Sequence, residues 1–165
     1  MNELSGLENI APGISDLSLD ELVAMHKFTL LWTLFEAQVL GNSASVDKIS
    51  QKVHKIDAEI IRSGWFDDQL SYFIKRYTDE SGINQRFSNL HLRKNDNPDL
   101  VCSVLKKESE EPACQLIACL TIIYRFRNNF FHGIKWAYGC KDQLDNFKHS
   151  IILLKNYLEK VPTDN

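Results

Sequence analysis

The chain has 165 residues, enough for one domain with its own core. Its composition is that of a globular protein, 44% hydrophobic and 25% charged, and seven Gly and four Pro disfavour an all-β sandwich with many tight turns. A net charge of −3 excludes a general nucleic-acid coat, which binds through many phosphate contacts, but leaves room for a small basic site on an acidic body.

Residues 1–17 read as a loose leader, broken at Pro12-Gly13, ahead of a single domain over residues 18–165. The first residues carry acids and no apolar stretch of the secretory type, and no apolar run approaches the ~20 residues of a membrane span. A cytoplasmic protein with reduced thiols and no membrane association is therefore expected. Ser18-Leu19-Asp20-Glu21 has the form of a capping box, with Leu17 and Leu22 placed as a hydrophobic staple, so a long helix is predicted from Leu19 to about Leu40. Gly41-Asn42 supplies its stop. From Phe28 onward this helix is apolar on most sides, which places it at the centre of a bundle. Glu36 is the only charge in that run, and a lone acid there must reach solvent, pair with a cation or line a cleft.

A second helix is predicted over Ser45–Arg62 and a third over Trp65–Tyr77. Residues 82–96 show no clear pattern. Asn97-Pro98 reads as an N-cap followed by a proline in the first helical position, opening a helix to about Lys107. The acidic run Glu108-Ser109-Glu110-Glu111 reads as a solvated loop. Pro112 then begins a helix that runs to Phe130, and after a connection holding Trp136 and Tyr138 a last helix covers about Lys141–Lys160. Its seam of Leu144, Phe147, Ile151, Leu154 and Leu158 reads as core, with a dimer contact as the alternative. The fold class is thus all-α: a bundle of four to five main helices with short accessory helices.

The chemistry concentrates in Arg127-Asn128-Asn129-Phe130-Phe131-His132. On a helical wheel of about 100° per residue, Ile123, Phe126 and Phe130 define the buried face, Arg127 lies at its margin, and Asn128 and His132 lie together on the other side. Arg127 offers a planar fork of donors to phosphate oxygens. His132 belongs to the residue type that titrates near neutrality, and Asn128 can orient the imidazole or a ligand. Such a trio also serves for capping and packing, so the spacing alone supports an anion site and no more. The four cysteines, Cys102, Cys114, Cys119 and Cys140, form no CxxC, and no Cys/His pair has zinc-ligand spacing. No carboxylate cluster stands near the motif, and neither metal nor cofactor is expected.

This run resembles the signature of the HEPN family: an Arg, a polar residue, three to five further residues and a His. Leu30-Leu31-Trp32-Thr33-Leu34-Phe35-Glu36-Ala37 resembles the Trp- and Glu-bearing first helix of the defence-associated prokaryotic branch. The resemblance implies a HEPN-like bundle that dimerises, and a metal-independent endoribonuclease whose two motif copies form one composite cleft. In that reading Arg127 holds the phosphate, His132 handles the proton, and Asn128 orients. Glu36 steadies Arg127 or His132, Asn129 supports, and the product end is a 2′,3′-cyclic phosphate. Arg125, Lys135 and Lys141 are RNA-binding candidates, Arg86, His91, Arg93 and Lys94 line a path or a solvated loop, and Trp136 and Tyr138 stack on bases or pack. A role as a toxin or antiphage-defence effector follows, with a cognate antitoxin or inhibitor as partner. In the branch paired with small nucleotidyltransferases, a modified tyrosine stands two residues past the His; here that position is Ile134. The alternative is a non-catalytic module of the same kind that binds RNA, a nucleotide or a protein. His26, His54 and His149 receive no role.

Overall fold

The computed structural model describes residues 5–131 and 142–163. Among them the regular structure is eight α-helices and one small antiparallel sheet, so the class is all-α. Helix α1 (Leu19–Val39) starts as its sequence dictates. The Ser18 hydroxyl accepts from the Glu21 N–H at 3.2 Å, and the Glu21 carboxylate accepts from the Ser18 N–H at 2.8 Å. It stops where Gly41 and Asn42 both turn left-handed, at φ 62° and 61°. That turn sends the chain back along α1, which later matters for Glu36. The leader holds more local order than expected: the Glu8 carboxylate accepts from the Gly13 N–H at 2.7 Å, and Ile14 is buried.

The second predicted helix is two helices, α2 (Val46–Val53) and α3 (Ala58–Ile61). The break falls at Asp57, whose carboxylate accepts from the Glu59 N–H at 2.8 Å and so starts a new helix instead of continuing the old one. Helix α4 (Asp67–Tyr77) begins two residues later than predicted and runs directly into two-residue strands, β1 (Thr78–Asp79) and β2 (Gly82–Ile83). Thr78 pairs with Ile83 and Asp79 with Gly82. Strands this short leave no alternating pattern to read. The unassigned segment resolves into β2, the single-turn helix α5 (Gln85–Ser88) and a 3-10 turn at Lys94–Asp96.

Asn97 stands at the start of α6 (Pro98–Leu105), but its side chain makes no capping bond, a correction to its reading as an N-cap. Its backbone is left-handed, at φ 52°, turning the chain out of the preceding 3-10 turn, a conformation Asn tolerates. The cap of α7 (Pro112–Phe131) comes from the acidic run, where the Glu111 carboxylate accepts from the Cys114 N–H at 2.7 Å. Helix α8 (Leu144–Lys160) follows.

Helix α1 packs along α8, and α7 packs on α2, α4 and α6. Rings of α1, α7 and α8 lock the three helices together: Phe28 to Phe126 at 5.4 Å, Phe126 to Phe147 at 4.9 Å and Phe130 to Phe147 at 5.4 Å between centroids. Such pairs add about 0.5–1.5 kcal/mol each beyond their buried area. Phe147 and Leu154 of the α8 seam are buried in this core, with Leu144, Ile151 and Leu158 packed against it. No helix of the described residues is long and apolar enough to cross a membrane.

Candidate functional site

The motif lies in the last described turns of α7, where Arg127 is the one residue between 121 and 130 that is not buried. Ile123, Phe126 and Phe130 are buried as the wheel requires, but Arg125, Asn128 and Asn129 are buried as well. The polar residues therefore face protein on two flanks, and each flank has found partners.

One flank holds Arg125 and Asn129, a pair spaced i, i+4. Arg125 is 7% exposed. Its Nε donates to the Leu90 carbonyl at 3.3 Å and lies 3.5 Å from the Asp96 carboxylate, and its Nη2 donates to the His91 carbonyl at 2.8 Å. Burial lowers its pKa, and Asp96 opposes that shift. Asn129 donates to the carbonyls of Asn89 at 3.1 Å and Leu90 at 3.0 Å. These two side chains fasten segment 89–96 to α7. Arg125, a candidate RNA contact in the sequence, thus has its Nε and Nη2 on backbone carbonyls of this segment. Arg93 of the same segment is committed too, donating to Asp96 at 3.1 Å and to the Tyr124 hydroxyl at 3.2 Å. Asp96 raises the Arg93 pKa.

The other flank holds Arg127, which meets α1. Its Nη2 is 3.8 Å from Glu36 Oε2, its Nη1 donates to Asn128 Oδ1 at 3.0 Å, and its guanidinium lies 5.7 Å from the Trp32 ring centroid. Glu36 is itself fixed: Trp32 Nε1 donates to it at 3.2 Å and the Ala44 N–H at 3.1 Å. The second of these bonds exists because the Gly41-Asn42 turn folds residue 44 back over the end of α1. Trp32 is held in turn by stacking on Tyr124 at 6.0 Å. The side chains of Arg127 and Glu36 keep 28% and 22% exposure, so this ion pair is reachable from outside. The two segments separated by some 90 residues in sequence thus meet, and Trp32, to which the sequence reading gave no separate role, is the floor of the arrangement.

Asn128 departs from the wheel. It is buried and accepts from Arg127, so it braces the arginine instead of projecting on a free face. His132, Lys135 and Lys141 lie outside the described residues, as do Trp136, Tyr138 and Cys140. Cys114 and Cys119 do share α7; burial raises both thiols, Cys119 most. No cluster of three His, Cys, Asp or Glu among the described residues has the geometry to hold a metal ion.

What the described side chains offer chemically is an oriented guanidinium at the end of a buried helix, backed by a carboxylate and an indole. Comparison with protein-family models, with curated proteins and with solved structures finds no match to this chain.

Proposed function

We propose that this chain is a HEPN-type helical domain that cleaves RNA as a homodimer without a metal. The observation that carries the reading is the Glu36–Arg127 ion pair over Trp32, which joins the two segments in which the resemblance resides. A carboxylate beside a phosphate-binding arginine fixes its direction before substrate arrives, so less ordering is left to do on binding. His132 follows Phe131, the last described residue of α7, in the sequence.

In the proposed reaction His132 takes the proton of a ribose 2′-hydroxyl, whose oxygen attacks the adjacent phosphorus. Arg127 stabilises the charge of the crowded phosphorane. The bond to the 5′-oxygen breaks and that oxygen takes up a proton, leaving a 2′,3′-cyclic phosphate and a 5′-hydroxyl. Two copies bring two motifs to one cleft. The exposed apolar residues of α1, Leu19, Val23, Leu30 and Leu34, fall within about 60° of one another on the helix, on the side away from Trp32 and Glu36. In this reading the twofold axis runs past the motif and not through that stripe.

The test is cleavage of a labelled RNA in EDTA, with the dimer followed by light scattering. Loss of product in both Arg127→Ala and His132→Ala, with the dimer intact, is expected; a His132→Ala protein that still cuts ends the mechanism. A second reading, a module that binds RNA, a nucleotide or a protein without turnover, is favoured by one fact: Arg127 already has Glu36, Asn128 and Trp32 as neighbours. That reading expects salt-sensitive binding weakened by Arg127→Ala, and no product. A cellular role as a toxin or defence effector, restrained by an inhibitor, belongs to the first reading.

A further inference from the structure

Between α4, α5 and the start of α8 lies a cavity of about 180 Å³, walled by Arg76, Tyr77, Arg86, Asn89, Asp142 and Asn146. Its acceptors are largely used. The Asp142 carbonyl accepts from Arg76 Nη2 at 3.3 Å, and Asn146 Oδ1 accepts from the Tyr72 hydroxyl at 2.8 Å. Its donors are not. Arg76 Nε is buried without an acceptor among the described residues. The guanidinium of Arg86 has no carboxylate within ion-pair distance among them. Both guanidinium-bearing residues line this one cavity. Burial pushes Tyr77 up to about 12, which keeps its hydroxyl a neutral donor. The Asp142 carboxylate is the one anion of the wall, against two arginines. The adjoining start of α8 has no side-chain cap on Gln143, which adds the positive end of a helix of 17 residues.

A small polar space walled by two arginines, one with an unmet Nε and one without a carboxylate partner, selects an acceptor-only, anionic ligand, and the fork geometry of arginine favours phosphate. The place is telling. Asn89, in the cavity wall, offers its carbonyl to Asn129 at 3.1 Å, so the cavity sits one side chain away from the motif, on the flank opposite Arg127.

The geometry points to a phosphate site in which Arg76 and Arg86 grip a backbone phosphate of the same RNA strand that Arg127 holds at another linkage. The assignment rests on the nuclease reading for its choice of RNA. It makes α7's end a ridge with a phosphate grip on either side. The flank that Arg125 and Asn129 tie down is then the rigid support of the second grip.

The test uses a fluorescein-labelled 2′-O-methyl RNA oligomer, which lacks the attacking hydroxyl and stays intact, titrated into the whole chain by anisotropy. Arg86→Ala is expected to weaken binding several-fold and to lower the salt dependence by roughly 0.7 in slope, the loss of one phosphate contact to a single strand. Arg86 is exposed and outside the core, so the variant folds. Arg76→Gln, which keeps an amide donor for Asp142, shows the same direction. Arg62→Ala, an exposed arginine outside the cavity, leaves binding unchanged. Equal affinity in Arg86→Ala and wild type, or no binding of the oligomer by wild type, overturns the site. AMP that binds through Arg86 as tightly as the oligomer assigns the cavity to a free nucleotide and overturns the strand. Cleavage measured alongside separates the two readings. Arg86-dependent binding without product sinks the nuclease alone, and cutting with an unchanged KM in Arg86→Ala sinks the phosphate site alone.

Discussion

Helix α7 carries two arginine–asparagine pairs within five residues, and they have opposite fates. Arg125 and Asn129 point into the fold, 7% and 2% exposed, with their donors on backbone carbonyls and on Asp96. Arg127 and Asn128 turn to α1, where the arginine meets a carboxylate and keeps more than a quarter of its side chain open. The same residue types thus do different work according to what their partners can still offer. Backbone carbonyls and a buried carboxylate consume a guanidinium. A partly exposed carboxylate orients one and leaves its outer edge for a ligand.

The comparison breaks first at Asp96. This carboxylate is 1% exposed and faces both Arg93 and Arg125. Asp96→Ala leaves a buried guanidinium without its counter-charge and costs about 3–5 kcal/mol, read as a lower denaturant midpoint. A loss below about 1 kcal/mol would make the Arg125 flank as dispensable as a surface pair. Asn129→Ala removes two hydrogen bonds, one of them buried, while Arg125 stays on the Leu90 carbonyl, so it costs about 1–2 kcal/mol. In the same experiment Arg127→Ala costs less than Asp96→Ala, because its ion pair is long and partly in water. An Arg127→Ala protein as unstable as Asp96→Ala would show that both flanks are structural, and the functional reading would lose its main support.

How much of this division the residues announce can be traced in particular places. The capping box at Ser18, the stop at Gly41-Asn42 and the prolines at 98 and 112 act through neighbours a few residues away, so they are legible locally. Glu36 was legible as an acid needing a partner, because the run around it is apolar. Which arginine would be absorbed was not. A wheel assumes one buried face, and α7 is enclosed by α1, α2, α4, α6 and segment 89–96. A signal did exist: Leu116 to Tyr124 is apolar almost without interruption, the mark of a helix buried all round. Asp96 was hidden by its setting, since segment 82–96 is built from single turns whose carbonyls find partners only through tertiary contact. Asp57 hid the break between α2 and α3 for a related reason, since an Asp inside an apolar period reads as an exposed position until its carboxylate caps a backbone N–H.

The smallest effect concerns pH, and it separates both flanks from a third region. His149 of α8 stacks on Tyr72 of α4 at 3.9 Å between centroids, with its Nδ1 buried. Burial lowers its pKa from the ordinary 6.5, against the pull of Asp145 and Asp68. As the pH falls through 6.5 the unfolded chain binds a proton that the folded chain does not, so stability decreases on acidification. The decline continues until the folded pKa is reached and is absent above neutrality. His149→Phe keeps a ring on Tyr72 but cannot titrate, so its denaturant midpoint should stay level across that window while wild type declines. Guanidinium groups hold their charge over the whole range, so neither arginine flank of α7 contributes to the slope. A midpoint in His149→Phe that still falls with wild-type steepness would move the titrating group elsewhere.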